Sequence, residues 1–230
     1  MQRRVAPTVT ALALGVLVPA CGMAEGISAV VPEFNAYVKL SDRARMYALA
    51  QLTGTDHTTE GDLGVHFDYT LQPILRTELR DADWERNRYL WMRAGYQRLG
   101  TLDGDDDAPG ENRWLVEMTA RFELAGELWL VNRLRLDLRD VGSSHSRRYR
   151  YRIAAEKEFS ISGVPCVPYV NAEWFYDTRF DTWSRQLYQG GVEIELNKSW
   201  RLEPYYEYEK NTNSGGQNVG RIGLVLKYYR

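Results

Sequence analysis

The sequence predicts an all-β protein, specifically an antiparallel up-and-down transmembrane β-barrel of about 10–12 strands. Apolar and polar residues alternate with a period of two through most of the chain beyond residue 32, which is the pattern of strands with two different faces. An apolar segment typical of an export signal precedes that region. The 15 Tyr, 7 Trp and 6 Phe exclude a disordered chain.

Composition excludes two further classes of protein. The net charge is −2, and this argues against a general nucleic-acid-binding protein. Charged residues make up 26% and the mean hydropathy is −0.47, so the chain lacks the several apolar runs of about 20 residues that a helical membrane protein needs.

Residues 1–24 are predicted to be a signal peptide, and residues 25–230 a single barrel domain. Arg3 and Arg4 precede the apolar run Val5–Ala20, and Ala24 ends a small-residue cleavage signal. Two alternatives remain open at this stage, namely an N-terminal anchor helix and lipidation at Cys21.

About eleven alternating runs follow the signal segment. In the clearest of them, Leu128, Leu130 and Leu134 share one parity, while Arg133, Arg135 and Asp137 share the other. The predicted strands lie near 33–40, 44–53, 63–77, 86–99, 112–124, 127–140, 147–160, 166–177, 183–196, 200–210 and 218–229.

Eleven is an unexpected number, because single-chain bacterial barrels have an even strand count. Either residues 26–32 add a partial strand to give twelve, which we favour, or the first hairpin is incomplete and the count is ten. Connections are expected to alternate between short ones (SDR, LAGE, SISGVP, LNKS) and longer outer ones (TGTDHTTEGD, LGTLDGDDDAPGEN, VGSSHSRR, KNTNSGGQN).

The charges and aromatic residues favour a membrane barrel over a soluble one. Polar faces rich in Arg and Glu suit an ion-paired interior, and aromatic girdles mark the ends of a lipid-facing wall. The girdle residues are predicted to be Trp84, Trp114, Phe159, Trp174, Tyr176, Trp200, Tyr206, Tyr208 and Tyr228. A soluble periplasmic ligand-binding barrel of lipocalin type is the alternative.

Five stretches carry a family resemblance: VNRLRLDLRD (131–140), YRYRIAAEKEF (149–159), VPYVNAEWFYD (167–177), SRQLYQGGVEIELNKSWRLEPYYEYEKN (184–211) and RIGLVLKYY (221–229). They resemble the bacterial family called domain of unknown function 2490. The resemblance implies an outer-membrane β-barrel of Gram-negative bacteria, and it implies no activity, ligand or catalytic residue.

If the apolar parity faces lipid, two charged walls are predicted to line the lumen. The basic wall comprises Arg133, Arg135, Arg139, Arg148, Arg150 and Arg152. The acidic wall comprises Glu173, Asp177, Glu193, Glu195, Glu203, Glu207 and Glu209. Opposed walls would create a transverse field in a narrow pore, whereas bidentate Arg–carboxylate pairs would plug it. Both outcomes remain open.

Two further kinds of site are considered. A lipid-active hydrolase of phospholipase or lipid A deacylase type needs a Ser–His pair, for which His145, Ser146 and His66 are the candidates. The acidic segment with Asp103, Asp105 and Asp107 is the candidate for a divalent-ion site that bridges lipopolysaccharide phosphates, although its spacing fails the calcium-loop pattern.

The sequence therefore predicts an outer-membrane barrel of a Gram-negative bacterium that acts as a narrow channel or as a structural envelope protein. No cofactor is expected. The predicted partners are outer-membrane lipids, lipopolysaccharide and the barrel assembly machinery, with small solutes or ions passing if the lumen is open.

Overall fold

The computed structural model of the protein describes residues 27–55, 58–71, 84–86, 88–102, 110–124, 128–213 and 216–230. The predicted signal peptide and the alternatives for it lie outside these residues. No helix among the described residues is long and apolar enough to cross a membrane.

The described residues form twelve strands. They are β1 (Ile27–Lys39), β2 (Ala44–Thr55), β3 (Thr59–Thr70), β4 (Leu90–Thr101), β5 (Glu111–Glu123), β6 (Leu128–Val141), β7 (Ser144–Lys157), β8 (Phe159–Ile161), β9 (Val164–Asp177), β10 (Thr182–Glu195), β11 (Trp200–Asn211) and β12 (Val219–Tyr229). The short β8 pairs with β9 alone, so eleven long strands build the wall.

The long strands close into a barrel. Each pairs antiparallel with the next along the chain, and β7 pairs directly with β9. The ring is closed by one parallel pair, β1 with β12, in which Val30 lies opposite Ile222 and Tyr37 opposite Tyr229. The predicted antiparallel meander is confirmed apart from this pair.

The parallel pair also explains the odd number of strands. Residues 27–32 do not form an additional strand, because they are the first half of β1. With eleven strands, Ile27 and Arg230 lie at opposite ends of the barrel, which we call the Ile27 rim and the Arg230 rim. An even count is unnecessary where the closing strands run parallel.

Alternation along each strand separates an apolar outer wall from a charged interior. On β3, Leu63 is 65% exposed and Val65 and Phe67 are also exposed, whereas Asp68 is 0% exposed and His66 is buried. Successive side chains of a strand point to opposite faces, so one face meets the surroundings and the other meets the lumen. This is the reverse of a soluble barrel, and it is the arrangement of a transmembrane barrel.

The predicted connections fall on the expected rims but differ in length. All four predicted short connections lie at the Arg230 rim and all four predicted long ones at the Ile27 rim. The segment VGSSHSRR is nevertheless a two-residue turn between β6 and β7, because both strands extend further than predicted and Gly142 adopts a φ of 58°. The connection between β3 and β4, residues 71–89, is at the Arg230 rim and is the longest.

That long connection corrects two predictions. The strand predicted at 63–77 ends at Thr70, and β4 begins at Leu90 rather than near residue 86. Trp84, predicted to belong to a girdle on the outer wall, is only 2% exposed and carries Arg45 and Arg88 on its ring. Trp84 lies between strands, where the parity rule does not apply. Residues 84–86, which we call the inward segment, contact the interior of the barrel.

Stacked tyrosines hold the parallel seam at the Arg230 rim. The ring of Tyr37 on β1 stacks on Tyr229 of β12 at 4.7 Å and on Tyr47 of β2 at 5.0 Å between centroids. Beside them, the amide of Lys39 donates to the carbonyl of Arg230 at 3.1 Å, and the amide of Arg230 donates to the carbonyl of Tyr37 at 3.0 Å. The C-terminal residues therefore complete the closure.

We predict that Tyr37→Ala lowers the free energy of unfolding by about 3 kcal/mol, because a buried ring leaves the middle of the stack. Urea unfolding of the refolded chain, followed by tryptophan fluorescence, measures this. Tyr37→Phe is the control and should change stability little, since it keeps the ring. Equal losses in both variants would contradict a role for stacking.

Candidate functional site

The interior of the barrel is lined by paired charges. Its described ion pairs involve side chains from β2 to β12 and from the segment between β3 and β4. Arg predominates among the cations, and its planar guanidinium can bind two carboxylate oxygens at once.

One cluster surrounds Asp68 towards the Arg230 rim. Arg45 donates from Nε to Asp68 at 2.8 Å, and Arg93 donates from Nε and Nη2 at 2.6 and 2.9 Å. Arg45 also lies over the rings of Tyr37 and Trp84, at 4.4 and 4.6 Å. This aspartate is therefore held by two guanidinium groups that are themselves packed on aromatic rings.

Glu85, from the inward segment, joins this cluster. Its carboxylate contacts Arg45 and also lies 3.4 Å from Arg93. Burial raises the pKa of the Glu85 carboxyl, but the charges of Arg45 and Arg93 outweigh that effect and hold the pKa below its ordinary value. The inward segment is thus bound electrostatically to the wall.

A second cluster is centred on Glu173. Arg133 donates to both of its oxygens at 2.9 Å, and Arg150 donates to the same two at 2.8 and 3.1 Å. Glu117, on the neighbouring part of the wall, is 3.6 Å from Arg133. Arg152 lies opposite both Arg133 and Glu173 in the strand register.

A third cluster lies near the Ile27 rim. Asp177 accepts hydrogen bonds from Arg139, Arg148 and Arg179 at 2.9, 3.0 and 3.0 Å. Arg139 also pairs with Glu111. Arg135 pairs with Asp137 at 2.5 Å. Five of the six residues of the predicted basic wall therefore have a carboxylate partner: Arg133, Arg135, Arg139, Arg148 and Arg150.

The predicted acidic wall contains its own cations. Arg201 binds Glu193 at 2.7 Å and lies 3.6 Å from Glu195. Lys227 binds Glu193 and Glu203, both at 2.5 Å. Arg221 pairs with Glu207 at 2.7 Å and with Glu209 at 3.0 Å.

The charges therefore neutralise one another locally. Glu173 and Asp177 belong to β9, so they meet Arg148 and Arg150 on the adjacent β7. They also meet Arg133 and Arg139 of β6 on the far side of β7, which keeps the pairs along the wall rather than across an open pore. Such pairing favours a filled interior over a transverse field.

Aromatic rings are buried inside the barrel at the Arg230 rim. Trp84, Trp91 and Trp129 are buried there, and Arg121 lies 4.1 Å above the ring of Trp129. Beyond them a polar cavity of about 420 Å³ is lined by side chains from every long strand. The inward segment contributes Glu85 and Arg86 to its lining.

The candidate hydrolase residues do not meet. Ser146 points into the barrel and is buried, whereas His145 is 80% exposed and pairs with Asp140. Adjacent strand residues face opposite sides, so these two cannot form a nucleophile–base pair. His66 is buried against Gly95 and Tyr47, and neither of its ring nitrogens has a hydrogen-bond partner among the residues that the structure describes.

The candidate metal site is outside the described residues, as Asp103, Asp105 and Asp107 all belong to the segment 103–109. Within the part of the chain that the structure describes, no group of His, Cys, Asp or Glu side chains is arranged to hold a metal ion.

Sequence reasoning missed the charged residues of the first strands. Arg45, Asp68, Arg93 and Glu117 carry the first cluster and part of the second, yet the predicted walls began at residue 133. The sequence pattern could have identified them, because each of them lies among the alternating polar positions of its strand.

We predict that Asp68→Asn lowers the free energy of unfolding by about 3 kcal/mol, because it removes the buried carboxylate to which the Nε atoms of Arg45 and Arg93 donate and leaves them to share only the half-exposed Glu85. Urea unfolding measures the change. Asp42→Asn is the matched control, since Asp42 pairs with Lys39 on the surface and should cost less than about 1 kcal/mol. An Asp68 variant as stable as the Asp42 variant would refute the cluster's importance.

Comparisons with known proteins agree with this fold. No curated protein matches the sequence. Among solved structures, the beta domain of the Bordetella autotransporter BrkA is similar, with 14% identity over 80% of this chain and 82% of that chain and a TM-score of 0.50. OmpT of Vibrio cholerae, an outer membrane protein solved as a loop L8 deletion mutant, shows 11% identity over 80% and 85% with a TM-score of 0.34.

The sequence profile of one family, described as "Protein of unknown function (DUF2490)", matches residues 35–220. This span covers β2 to β11 completely, together with the last part of β1 (residues 35–39) and the start of β12. The chain therefore belongs to the DUF2490 family.

Proposed function

We propose that this protein is a structural barrel of the Gram-negative outer membrane whose lumen is closed to solutes. The observation that carries the proposal is the inward segment at the Arg230 rim, where Trp84 is buried between Arg45 and Arg88. In addition, Arg86 of that segment pairs with Glu193 of β10. The segment is thereby attached to the interior of the barrel through charged contacts with different strands.

An outer-membrane location is supported by the apolar outer wall and by the predicted export signal. Exposed Leu, Val and Phe side chains of the long strands need a hydrocarbon environment. The partners in this proposal are outer-membrane lipids, lipopolysaccharide and the barrel assembly machinery that inserts such strands.

A narrow channel is the second candidate, favoured by the polar cavity of about 420 Å³. Small solutes or ions could pass if the inward segment moved away from Glu193 and Arg45. A lipid hydrolase has less support, since His145 and Ser146 face opposite sides of the wall.

We predict that the refolded chain gives no discrete current steps in a planar bilayer, because the inward segment closes the lumen. Combining Trp84→Ala, Glu85→Ala and Arg86→Ala removes the three interior anchors of the segment and should produce steps. The matched control combines Trp114→Ala with Arg147→Ala on the outer side and should stay silent. Heat-modifiable gel mobility checks that each variant is folded.

Current steps from the unmodified chain would refute the closed lumen and favour the channel. A folded triple variant of Trp84, Glu85 and Arg86 that stays silent would refute closure by the inward segment.

A further inference from the structure

The polar cavity inside the barrel is lined by three charged side chains that have no ion-pair partner. Its volume of about 420 Å³ lies in the range of small-molecule sites. Among the described residues that line it, every other charged side chain pairs with an opposite charge. The three exceptions are Glu33 on β1, Asp62 on β3 and Arg152 on β7. An unpaired charge in a protein interior is costly, so a ligand that supplies the missing partners is bound favourably.

The two carboxylates belong to one row of the wall, which we call the acidic row. Gln51 on β2 pairs with Glu33 on one side and with Asp62 on the other, so the three side chains point inward together. Glu33 accepts hydrogen bonds from Gln51 at 3.1 Å and from Asn35 at 2.6 Å. Asp62 is 9% exposed and accepts no hydrogen bond from a described residue. Neutral amides are thus the only described partners of this negative charge.

Arg152 is the unpaired cation on the opposite side of the ring. It lies next to Arg133 and Glu173 in the register of β6, β7 and β9. Both oxygens of Glu173 already accept hydrogen bonds from Arg133 and from Arg150, which occupies the acceptor sites of this carboxylate. Since β7 is six strand pairings from β1 in one direction and five in the other, Arg152 and the acidic row face each other across the cavity.

The separation of these charges determines the length of a ligand that meets both. Strands about 4.8 Å apart give a ring of eleven strands a backbone diameter of roughly 20 Å. The side chains of Glu33 and Arg152 reach inward from both sides and leave about half of that, which is the length of an extended tripeptide at about 3.5 Å per residue. An α-amino acid, whose two charged groups share one carbon atom, is too short.

Tyr205 adds a neutral contact between the two ends. Its ring lies across Gly223 of β12, where an added Cβ atom would overlap it, so the ring extends from β11 towards β1. Tyr205 is 8% exposed, and its hydroxyl has no hydrogen-bond partner in the described part of the chain. Because a phenol both donates and accepts, this hydroxyl is available to a peptide group in the cavity.

We propose that this cavity binds a linear zwitterion of about tripeptide length, with a primary ammonium group at one end and a carboxylate at the other. The ammonium group donates to Glu33 and Asp62, and the carboxylate accepts hydrogen bonds from the guanidinium of Arg152. Binding neutralises both sides of the cavity at once, which a singly charged ligand does not do. The inference goes beyond the proposed function and does not depend on whether the Arg230 rim is closed.

Native mass spectrometry of the chain refolded in micelles tests the proposal, with triglycine as the probe because it has both charges and no side chains. Triglycine is added before refolding in one sample and after refolding in another, so that slow entry into the folded barrel does not hide binding. We predict saturable binding of one triglycine per barrel. N-acetyltriglycine lacks the ammonium group, triglycine amide lacks the carboxylate, and glycine is too short. Each should bind about tenfold more weakly, the loss expected for one hydrogen bond between charged groups.

Matched variants assign each end of the peptide to its residue. Arg152→Gln should weaken triglycine binding about tenfold and remove the preference for triglycine over triglycine amide, while the preference over N-acetyltriglycine remains. Glu33→Gln combined with Asp62→Asn should have the converse effect. Arg147→Gln removes an exposed arginine from the outer face of the same strand as Arg152 and should leave all affinities unchanged. Heat-modifiable gel mobility checks that each variant is folded.

Three results would overturn the proposal. The first is a folded barrel that binds no triglycine in either sample. The second is equal binding of triglycine and its two blocked forms. The third is an Arg152→Gln barrel that keeps the full preference for triglycine over triglycine amide, which would show that Arg152 does not contact the carboxylate.

Discussion

The pairing of buried charges is the interaction on which the rest of this structure depends. A barrel that presents apolar side chains to lipid must place its polar residues inside, and eleven strands enclose a narrow interior. A charge that is buried there without a partner is strongly destabilising, so each carboxylate must find a cation nearby. Asp68, Glu173 and Asp177 each have at least two arginines. Because these contacts join neighbouring strands, they also tie the wall together from within.

The way in which the ring closes determines where the charged interior is sealed. The parallel pairing of β1 with β12 places the C-terminal residues beside Tyr37, and the tyrosine stack lies on the inner side of that seam. Arg45 connects the stack to Asp68 and to Trp84. The inward segment, the seam and the first charge cluster are therefore one packed unit at the Arg230 rim.

The alternation of residues along each strand was enough to predict the strands and their faces. It could not predict which charged side chains pair or which strands meet where the ring closes. The period of two assigned Leu134 to the outer wall and Arg133 to the interior, since alternation is a property of a single strand. It could not exclude a pair formed by His145 and Ser146, because both were predicted to lie in a connection, whereas β7 in fact begins at Ser144. The pairing of Glu173 with Arg133 depends on the register of three strands, and the parallel seam depends on how the whole ring closes. Trp84 was misplaced because a connection between strands has no periodicity to read.

Hydrogen exchange of arginine side chains directly tests whether the interior charges are paired and shielded from water. In nuclear magnetic resonance spectra of the refolded chain in micelles, each Nε–H reports whether its guanidinium is held by a partner and shielded from water. The account predicts slow exchange for Arg45 and Arg93, whose Nε atoms donate to Asp68, and fast exchange for the exposed Arg147. Exchange of Arg45 and Arg93 as fast as that of Arg147 would show a hydrated interior and would contradict the pairing of these arginines with Asp68.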